Sequence, residues 1–432
     1  MNIIFTGENT FEETFRRITR RGMGSEDSHR ASVKTIVDDV AARGDAALLD
    51  YTEKFDQSVL TAGGMEVSGQ EWSRAAAEAP RADVEILSLA ARRIEAFHRK
   101  QDLKGWFSGE EEGITLGQRV LPLERVGIYA PGGLAAYPST VLMAAVPAKI
   151  AGVAEIILVS PAKQGRLNPL VAVAAKLGGV NRFFKIGGAQ AIAALAYGTE
   201  TVPRVDKIVG PGNAYVTAAK KIVHGDVAID MIAGPSEVLI IADGTADAAF
   251  VAADLLAQAE HDEMASAVLL TPDENLARQV IAEVRKQAAL LPKRSIALRA
   301  LENFGAVVVT RDLSEAAVIA DSFAPEHLEL IVERPDRLLD RIRHAGAVFL
   351  GGYTPEAIGD YMAGPNHILP TAGTARFASP LGVYDFVKRT SIVSFSREAL
   401  EKYGRQAARF AAMEGLNGHE RSISIRLSRK KP

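Results

Sequence analysis

The sequence contains no cysteine. Disulfides, thiolate metal sites and thiol nucleophiles are excluded together, so any catalysis must use oxygen and nitrogen groups. Long apolar runs are missing as well. The most apolar stretch, Val141 to Pro161, is interrupted by Pro147, Lys149 and Glu155 and falls short of the roughly 18 apolar residues that a membrane helix needs. The start, Met1-Asn2-Ile3-Ile4-Phe5, has no basic segment followed by a long apolar core, so a cytoplasmic protein is expected. Neither charge sign dominates: 50 Lys and Arg stand against 53 Asp and Glu, a net charge of −3, which speaks against a protein that coats nucleic acid. What is present, 432 residues with 47% hydrophobic and 24% charged, fits a globular chain of about two or three domains.

Up to about residue 115 the pattern is helical and amphipathic. Ile86, Leu87, Leu89, Ala90, Ile94 and Phe97 recur at helical spacing between Asp83 and Gln101, with His98 read as a capping or surface histidine. After Leu121 short β-branched runs alternate with Gly-rich turns and Ala-rich helices. Arg125–Tyr129, Glu155–Val159, residues 182–186 and Lys207–Val209 read as strands of one parallel sheet. The rhythm restarts with 237–241, 267–270, 306–309, 328–332 and Ala347–Leu350. The fold class expected is therefore α/β: two tandem doubly wound parallel-sheet units, a helical N-terminal region and an extended C-terminal tail. Beyond Gly382 a strand or two, an Ala-rich helix over 405–413 and the basic tip Arg429-Lys430-Lys431 are expected, the tip read as a solvated end.

Chemistry-bearing residues cluster at turns. Ala130-Pro131-Gly132-Gly133, Gly187-Gly188-Ala189-Gln190 and Gly210-Pro211-Gly212-Asn213 follow strands, where helix N-termini offer unpaired N–H groups, although none completes a dinucleotide fingerprint. Ser236 lies where the two units join and could serve a ligand or simply the turn. A helix opening at Thr245 would run through Asp254, Gln258 and His261, putting the last two on one face within reach of a single ion. Glu326-His327 precedes an apolar strand; neighbouring side chains there diverge, which excludes a relay dyad but allows two separate proton-transfer groups around one substrate. Asp360 and His367 sit in a Gly-rich loop, and Glu414 and His419 in a tail outside both sheets, the kind of segment that reaches another domain or subunit.

These segments together resemble the histidinol dehydrogenase family from end to end. The resemblance is carried by residues 205–213, Ile229-Asp230, Ala233-Gly234-Pro235-Ser236-Glu237, Gln258-Ala259-Glu260-His261-Asp262, Ala324-Pro325-Glu326-His327-Leu328, Gly364-Pro365-Asn366-His367 through Thr371, and Glu414-Gly415 with His419. It implies a cytoplasmic homodimer with intertwined tails, binding neither nucleic acid nor membrane. The implied activity is the oxidation of L-histidinol through histidinal to L-histidine with two NAD⁺ and one zinc ion per subunit. By the same resemblance Gln258, His261, Asp360 and His419 would hold zinc, His419 coming from the partner chain. Ser236, Gln258, His261, His327, Asp360, His367, Glu414 and His419 would contact substrate, and Tyr129, Gln190 and Asn213 would contact NAD. Glu326 would activate water and His327 would act as acid and base. The implied division is residues 1–124 with 236–381, an incomplete Rossmann-like NAD domain over 125–235, and a tail over 382–432. Asp56-Gln57 departs from the Asp-Gly that relatives often carry. The rival readings are a zinc and NAD dehydrogenase of another primary alcohol such as a sulfonated diol, a metallohydrolase using zinc-bound water, and a non-catalytic binding protein.

Overall fold

A computed structural model describes every residue except 2, 22–24, 102, 133–136 and 429–432, so the basic tip and Gly133 of the first glycine turn lie outside the described residues. The chain forms two compact units, Met1–Gln101 with Leu123–Phe386, and Asp102–Pro122 with Val387–Pro432.

Strands are numbered β1 to β14 in chain order. In the first unit one parallel sheet has the order β6-β5-β4-β7-β8, from Arg182–Phe184, Glu155–Val159, Arg125–Tyr129, Lys207–Val209 and Ala228–Ile229. A second parallel sheet has the order β1-β11-β10-β9-β12-β13, from Ile3–Phe5, Gly305–Val309, Ser266–Thr271, Glu237–Ala242, His327–Ile331 and Ala347–Leu350. Central strands such as β9 and β10 are buried along their whole length because helices cover both faces. Their unbroken apolar runs are what a doubly covered parallel sheet requires. Alanine-rich helices such as Gly188–Tyr197 fit closely against the first sheet, burying all eight residues from Ala189 to Ala196.

The strand assignments from sequence agree with these sheets to within a residue or two, but four strands were not foreseen: the two-residue β8 beside β7, and β1, β2 and β3. β1 is three residues long and pairs at the sheet edge with Val307–Val309. β2 (Trp106–Ser108) and β3 (Ile114–Pro122) form an antiparallel sheet with β14 (Val387–Phe395) in the second unit, where the helices Arg397–Met413 and Asn417–Ser428 also lie. His98 is neither capping at the surface nor exposed: it is fully buried, with Nδ1 2.8 Å from the Ile94 carbonyl oxygen, and burial lowers its pKa. Gln57 adopts φ +52, the left-handed region where glycine is unstrained. No helix among the described residues is long and apolar enough to cross a membrane.

Candidate active site

The expected site residues of the second sheet gather at the amino ends of β9 and β12, neighbouring strands in which His327 lies opposite Val238. Here side-chain carboxylates satisfy the leading backbone N–H groups. The Glu237 N–H donates to Glu326 Oε2 at 3.0 Å, and the Glu326 N–H donates to Glu237 Oε1 at 3.2 Å. A buried ion pair joins Glu237 to Arg21. Ala324, at φ +51, closes the preceding helix and turns the chain into this pair.

His327 stands beside it. Its Nδ1 is 3.1 Å from the Glu237 carbonyl oxygen, which can only accept, so Nδ1 carries the hydrogen and Nε2 is the bare nitrogen of the neutral ring. Nε2 is buried and lies 3.7 Å from Asp360 Oδ1. Glu326 Oε2 is 3.8 Å from Nδ1: closer than strand alternation predicts, yet beyond hydrogen-bond reach, so no relay dyad forms. Burial pushes the Glu326 carboxyl up to about 7, with Glu237 adding to the rise and His327 opposing it. For His327 burial disfavours the charge, but the carboxylates of Glu326, Glu356 and Asp360 outweigh it and hold the pKa well above the usual imidazole value.

Gln258 closes the helix Ala248–Ala259, which starts three residues later than the expected Thr245 and is capped by Asp247. His261 is therefore not on that helix but in the following turn. The two side chains still meet, Gln258 Nε2 being 3.0 Å from His261 Nδ1, while Gln258 Oε1 is buried without a hydrogen-bond partner. Desolvation keeps the exposed-edged His261 ring below its ordinary pKa and thus neutral at pH 7. Asp360 occupies a wide π turn, Gly359–Ala363, a helical irregularity often found at functional sites. Burial alone would raise its carboxyl, but contact with His327 and the nearby rings of His367 and His261 hold it below the usual carboxylate range. An oxygen lacking a donor, a neutral imidazole and an ionised carboxylate form a donor set that suits zinc. Among the described residues no group of three or more His, Asp or Glu side chains is arranged to hold a metal ion. Glu414 and His419 belong to the second unit and are exposed there, at the end of one helix and in the first turn of the next.

His367 is fixed by an interlocking of sequence features. Pro147 inside the helix Pro138–Ala151 has no N–H for the carbonyl of Met143. Asn366 Nδ2 donates to that carbonyl at 2.7 Å, and His367 Nδ1 sits 3.1 Å from the backbone oxygen of Asp360. Ser236, half-buried, directly precedes Glu237.

The residues expected to bind NAD lie at the carboxyl ends of β4, β6 and β7. The strand order reverses at β4, and in such sheets the crevice beyond the carboxyl ends at the reversal takes ligands. Tyr129 is buried and its hydroxyl accepts from the Gly188 N–H at 3.2 Å. Gln190 is buried with Nε2 unpartnered, and Asn213 caps the helix Ala214–Val223 through Oδ1, which accepts from Tyr215 and Val216 at 3.1 Å each. Asp230 Oδ2 accepts from the Gly210 N–H at 2.8 Å and pairs with the buried Lys220, whose Nζ also reaches the Gly210 carbonyl oxygen at 3.0 Å. Gly210 has φ +112, and a Cβ there would come within 2.1 Å of the Tyr129 oxygen. An unpaired buried amide beside glycine-shaped turns is a surface that a dinucleotide would fit. A cavity of about 630 Å³ lined by Arg125, Arg204, Asp206 and His224 opens at the opposite, amino ends of β4 and β7, with charges of both signs, and is not this site.

Sequence reading missed the roles of Arg21, Glu329 and Glu356. Glu356 Oε2 is 3.6 Å from His327 Nδ1, and burial pushes its carboxyl up to about 8. The Glu356 N–H donates to Glu329 Oε1 at 2.8 Å, and the neighbouring Asp254 helps to raise the Glu329 carboxyl above its ordinary range. A signal existed: Glu329 interrupts the apolar run Leu328-Glu329-Leu330-Ile331, and a charged residue inside a buried strand is unusual enough to mark.

Parallel α/β sheets, glycine-shaped turns on one and a buried carboxyl beside an imidazole on the other, are the features set against known proteins. The family model described as histidinol dehydrogenase matches residues 19–427. Histidinol dehydrogenase of Syntrophotalea carbinolica is 54% identical over 427 residues, 99% of each chain. That of Geobacter sulfurreducens is 53% identical over 428 residues, covering 99% of this chain and 100% of the relative. The crystal structure of histidinol dehydrogenase from Elizabethkingia anophelis superposes with a TM-score of 0.92 at 38% identity, over 99% of this chain and 98% of that one. The chain belongs to the histidinol dehydrogenase family.

Proposed function

We propose that the protein oxidises L-histidinol through histidinal to L-histidine, with NAD⁺ as hydride acceptor in both steps. The observation that carries this reading is the family match over residues 19–427, supported by the buried Glu326 carboxyl beside a His327 ring whose Nε2 faces Asp360. In the first step His327 Nε2 takes the hydroxyl proton as hydride leaves the carbinol carbon. With no cysteine to hold the aldehyde, oxidation to the acid goes through the hydrate. Glu326 removes a proton from the water that adds to the carbonyl carbon while the protonated His327 returns its proton to the carbonyl oxygen, and hydride then leaves the hydrate carbon for the second NAD⁺ as the neutral His327 accepts a hydroxyl proton. A pKa near neutral suits a base that must be free at working pH yet strong enough to take a proton.

Gln258, His261 and Asp360, completed by His419 from a second copy of the chain, would hold one zinc ion per subunit, whose chemistry is to bind the amine and imidazole nitrogens of the substrate. Ser236, His367 and Glu414 would line the same substrate. Tyr129, Gln190 and Asn213 would hold NAD, with residues 125–235 as the cofactor half, 1–124 and 236–381 as the catalytic half, and 382–432 as the tail exchanged in a homodimer. The setting is the cytoplasm, where histidine synthesis supplies the substrate.

The test is metal analysis coupled to NADH absorbance with L-histidinol, before and after chelation. Stoichiometric zinc and NADH formation that chelation abolishes and zinc restores support the reading. NADH from another primary alcohol such as a sulfonated diol, with none from histidinol, would replace it.

A further inference from the structure

Glu237 makes three separate attachments to the two residues assigned proton transfer, and different parts of the residue make them. Its N–H holds the Glu326 carboxylate, its Oε1 holds the Glu326 N–H, and its carbonyl oxygen holds His327 Nδ1. Oε1 also accepts from the N–H of Ala372 at 3.1 Å, a residue in the left-handed region at φ +54. The side chain is almost wholly buried, and its counter-charge comes from 216 residues earlier in the chain. That charge is Arg21, equally buried, whose other nitrogens and edges reach carbonyl oxygens of Ile18 at 2.9 Å, Met264 at 3.1 Å and Pro235 at 3.1 Å. Arginine's planar fork spreads its donors over three nitrogens in fixed directions, so it reaches acceptors too far apart for a lysine's single ammonium. A buried carboxylate with two N–H donors and a guanidinium beside it is satisfied; without the cation it would be an unpaired charge pressed against Glu326.

We propose that Glu237, neutralised by Arg21, is a positioning residue whose side chain fixes the main chain at Glu326, while its own main chain holds the Glu326 carboxylate and His327. This rests on the reading of Glu326 as the base of the aldehyde step. The division between side chain and main chain gives it content beyond packing. A substitution at 237 leaves the N–H that holds the Glu326 carboxylate and the carbonyl that holds His327, and removes the side chain's grip on the Glu326 N–H together with its contacts to Ala372 and Arg21. The aldehyde step should therefore suffer more than the alcohol step.

The experiment compares two full-length, zinc-loaded double variants that both lack the ion pair. R21M/E237Q keeps an oxygen acceptor for the Glu326 N–H, whereas R21M/E237L does not. NADH formation is followed with histidinal supplied, and separately in a single turnover on histidinol with the aldehyde trapped. R21M/E237L is expected to lower kcat for histidinal at least tenfold more than for histidinol, with KM for histidinal within about twofold of the parent. R21M/E237Q should stay within about threefold on that ratio. The same ratio in both double variants, at matched melting temperatures, overturns the inference. R21M/E237M gives a second acceptor-free version if the leucine version does not accumulate. E326Q is the reference: if it lowers both half-reactions equally, the reading of Glu326 itself fails and takes this inference with it, whereas selective loss in E326Q without selective loss in R21M/E237L defeats the positioning role alone.

Discussion

The two parallel sheets solve the problem of a binding site in opposite ways. In the first, the candidate ligand groups lie at the carboxyl ends of the strands and are mostly backbone, shaped by glycines at Gly187, Gly188 and Gly210, with Lys220 and Asp230 neutralising each other beneath. In the second, the groups lie at the amino ends of β9 and β12 and are buried side chains: Glu237, Glu326, His327 and Glu356. Shape tolerates no extra atom, and a cluster of charges tolerates no missing partner. The first site should therefore fail when a methyl group is added, and the second when a proton acceptor is neutralised.

Glu326→Gln is the severest break on the charged side. An isosteric amide still offers an oxygen to the Glu237 N–H but cannot take a proton. Turnover of supplied histidinal should fall by about 10²–10⁴-fold, far more than conversion of histidinol to histidinal. Equal losses measured by NADH formation in the two half-reactions would remove the assignment. Gly210→Ala is the matching break on the shaped side. Its Cβ would meet the Tyr129 oxygen at 2.1 Å with φ at +112, so the turn must move. The expected result is at least a tenfold loss of NAD affinity by calorimetry, about 1–3 kcal/mol of stability lost, and zinc content unchanged. Loss of zinc with NAD affinity intact would show that the two sheets do not divide the work.

The exposed side of His261 sharpens the contrast, because a donor set open to solvent can be closed by another copy of the chain. His419→Asn and Glu326→Gln are each expected to be inactive alone, and their mixture to recover up to about a quarter of parental activity once heterodimers form, if each site draws one subunit's Glu326 and the other's His419. Verified heterodimers without recovered activity would favour a site completed within one chain.

How much of this could be read from the residues follows the same divide. Glycine turns and apolar β-runs are local, so β4, β5, β7 and β13 were bounded correctly and the turn residues Tyr129, Gln190 and Asn213 were found at strand or helix ends. The pairing of Gln258 with His261 was also anticipated, though from a helix that stops before reaching His261. What was not legible depends on contacts distant in the chain. β1 is three residues whose strand character comes from an edge supplied by β11, and β3 pairs with a tail strand more than 250 residues later, with the three-residue β2 on its other side. Arg21 carries no sign in its own neighbourhood that Glu237 lies beside it. His98 was misjudged because a lone histidine at a helix end gives no indication of what will cover it.

The mildest prediction concerns the carboxyl pair Asp254 and Glu329, which touches neither the proposed substrate nor the base. Burial raises the Asp254 carboxyl to about 6, and raises Glu329 well above its ordinary value with Asp254 and Glu356 adding to the rise. Two buried carboxyls in contact cannot both ionise, so the folded protein keeps a proton that the unfolded chain has released above about pH 4. The folded state then binds more protons than the unfolded one, and stability must fall as pH rises through the window from about 4 to 6 and beyond. Asn in place of Asp254 still offers a hydrogen bond to Glu329 and needs no shared proton. In chelator-treated protein, where no metal perturbs the cluster, the melting temperature of the parent should drop more steeply from pH 4 to 7 than that of Asp254→Asn. The difference corresponds to about 1–3 kcal/mol. Since His261 and His367 titrate in the opposite sense and are common to both proteins, the difference between the two curves, rather than either curve, isolates the pair. Parallel curves would mean that Asp254 and Glu329 are both ionised in the folded state, and that the charged sheet bears more negative charge than its geometry can balance.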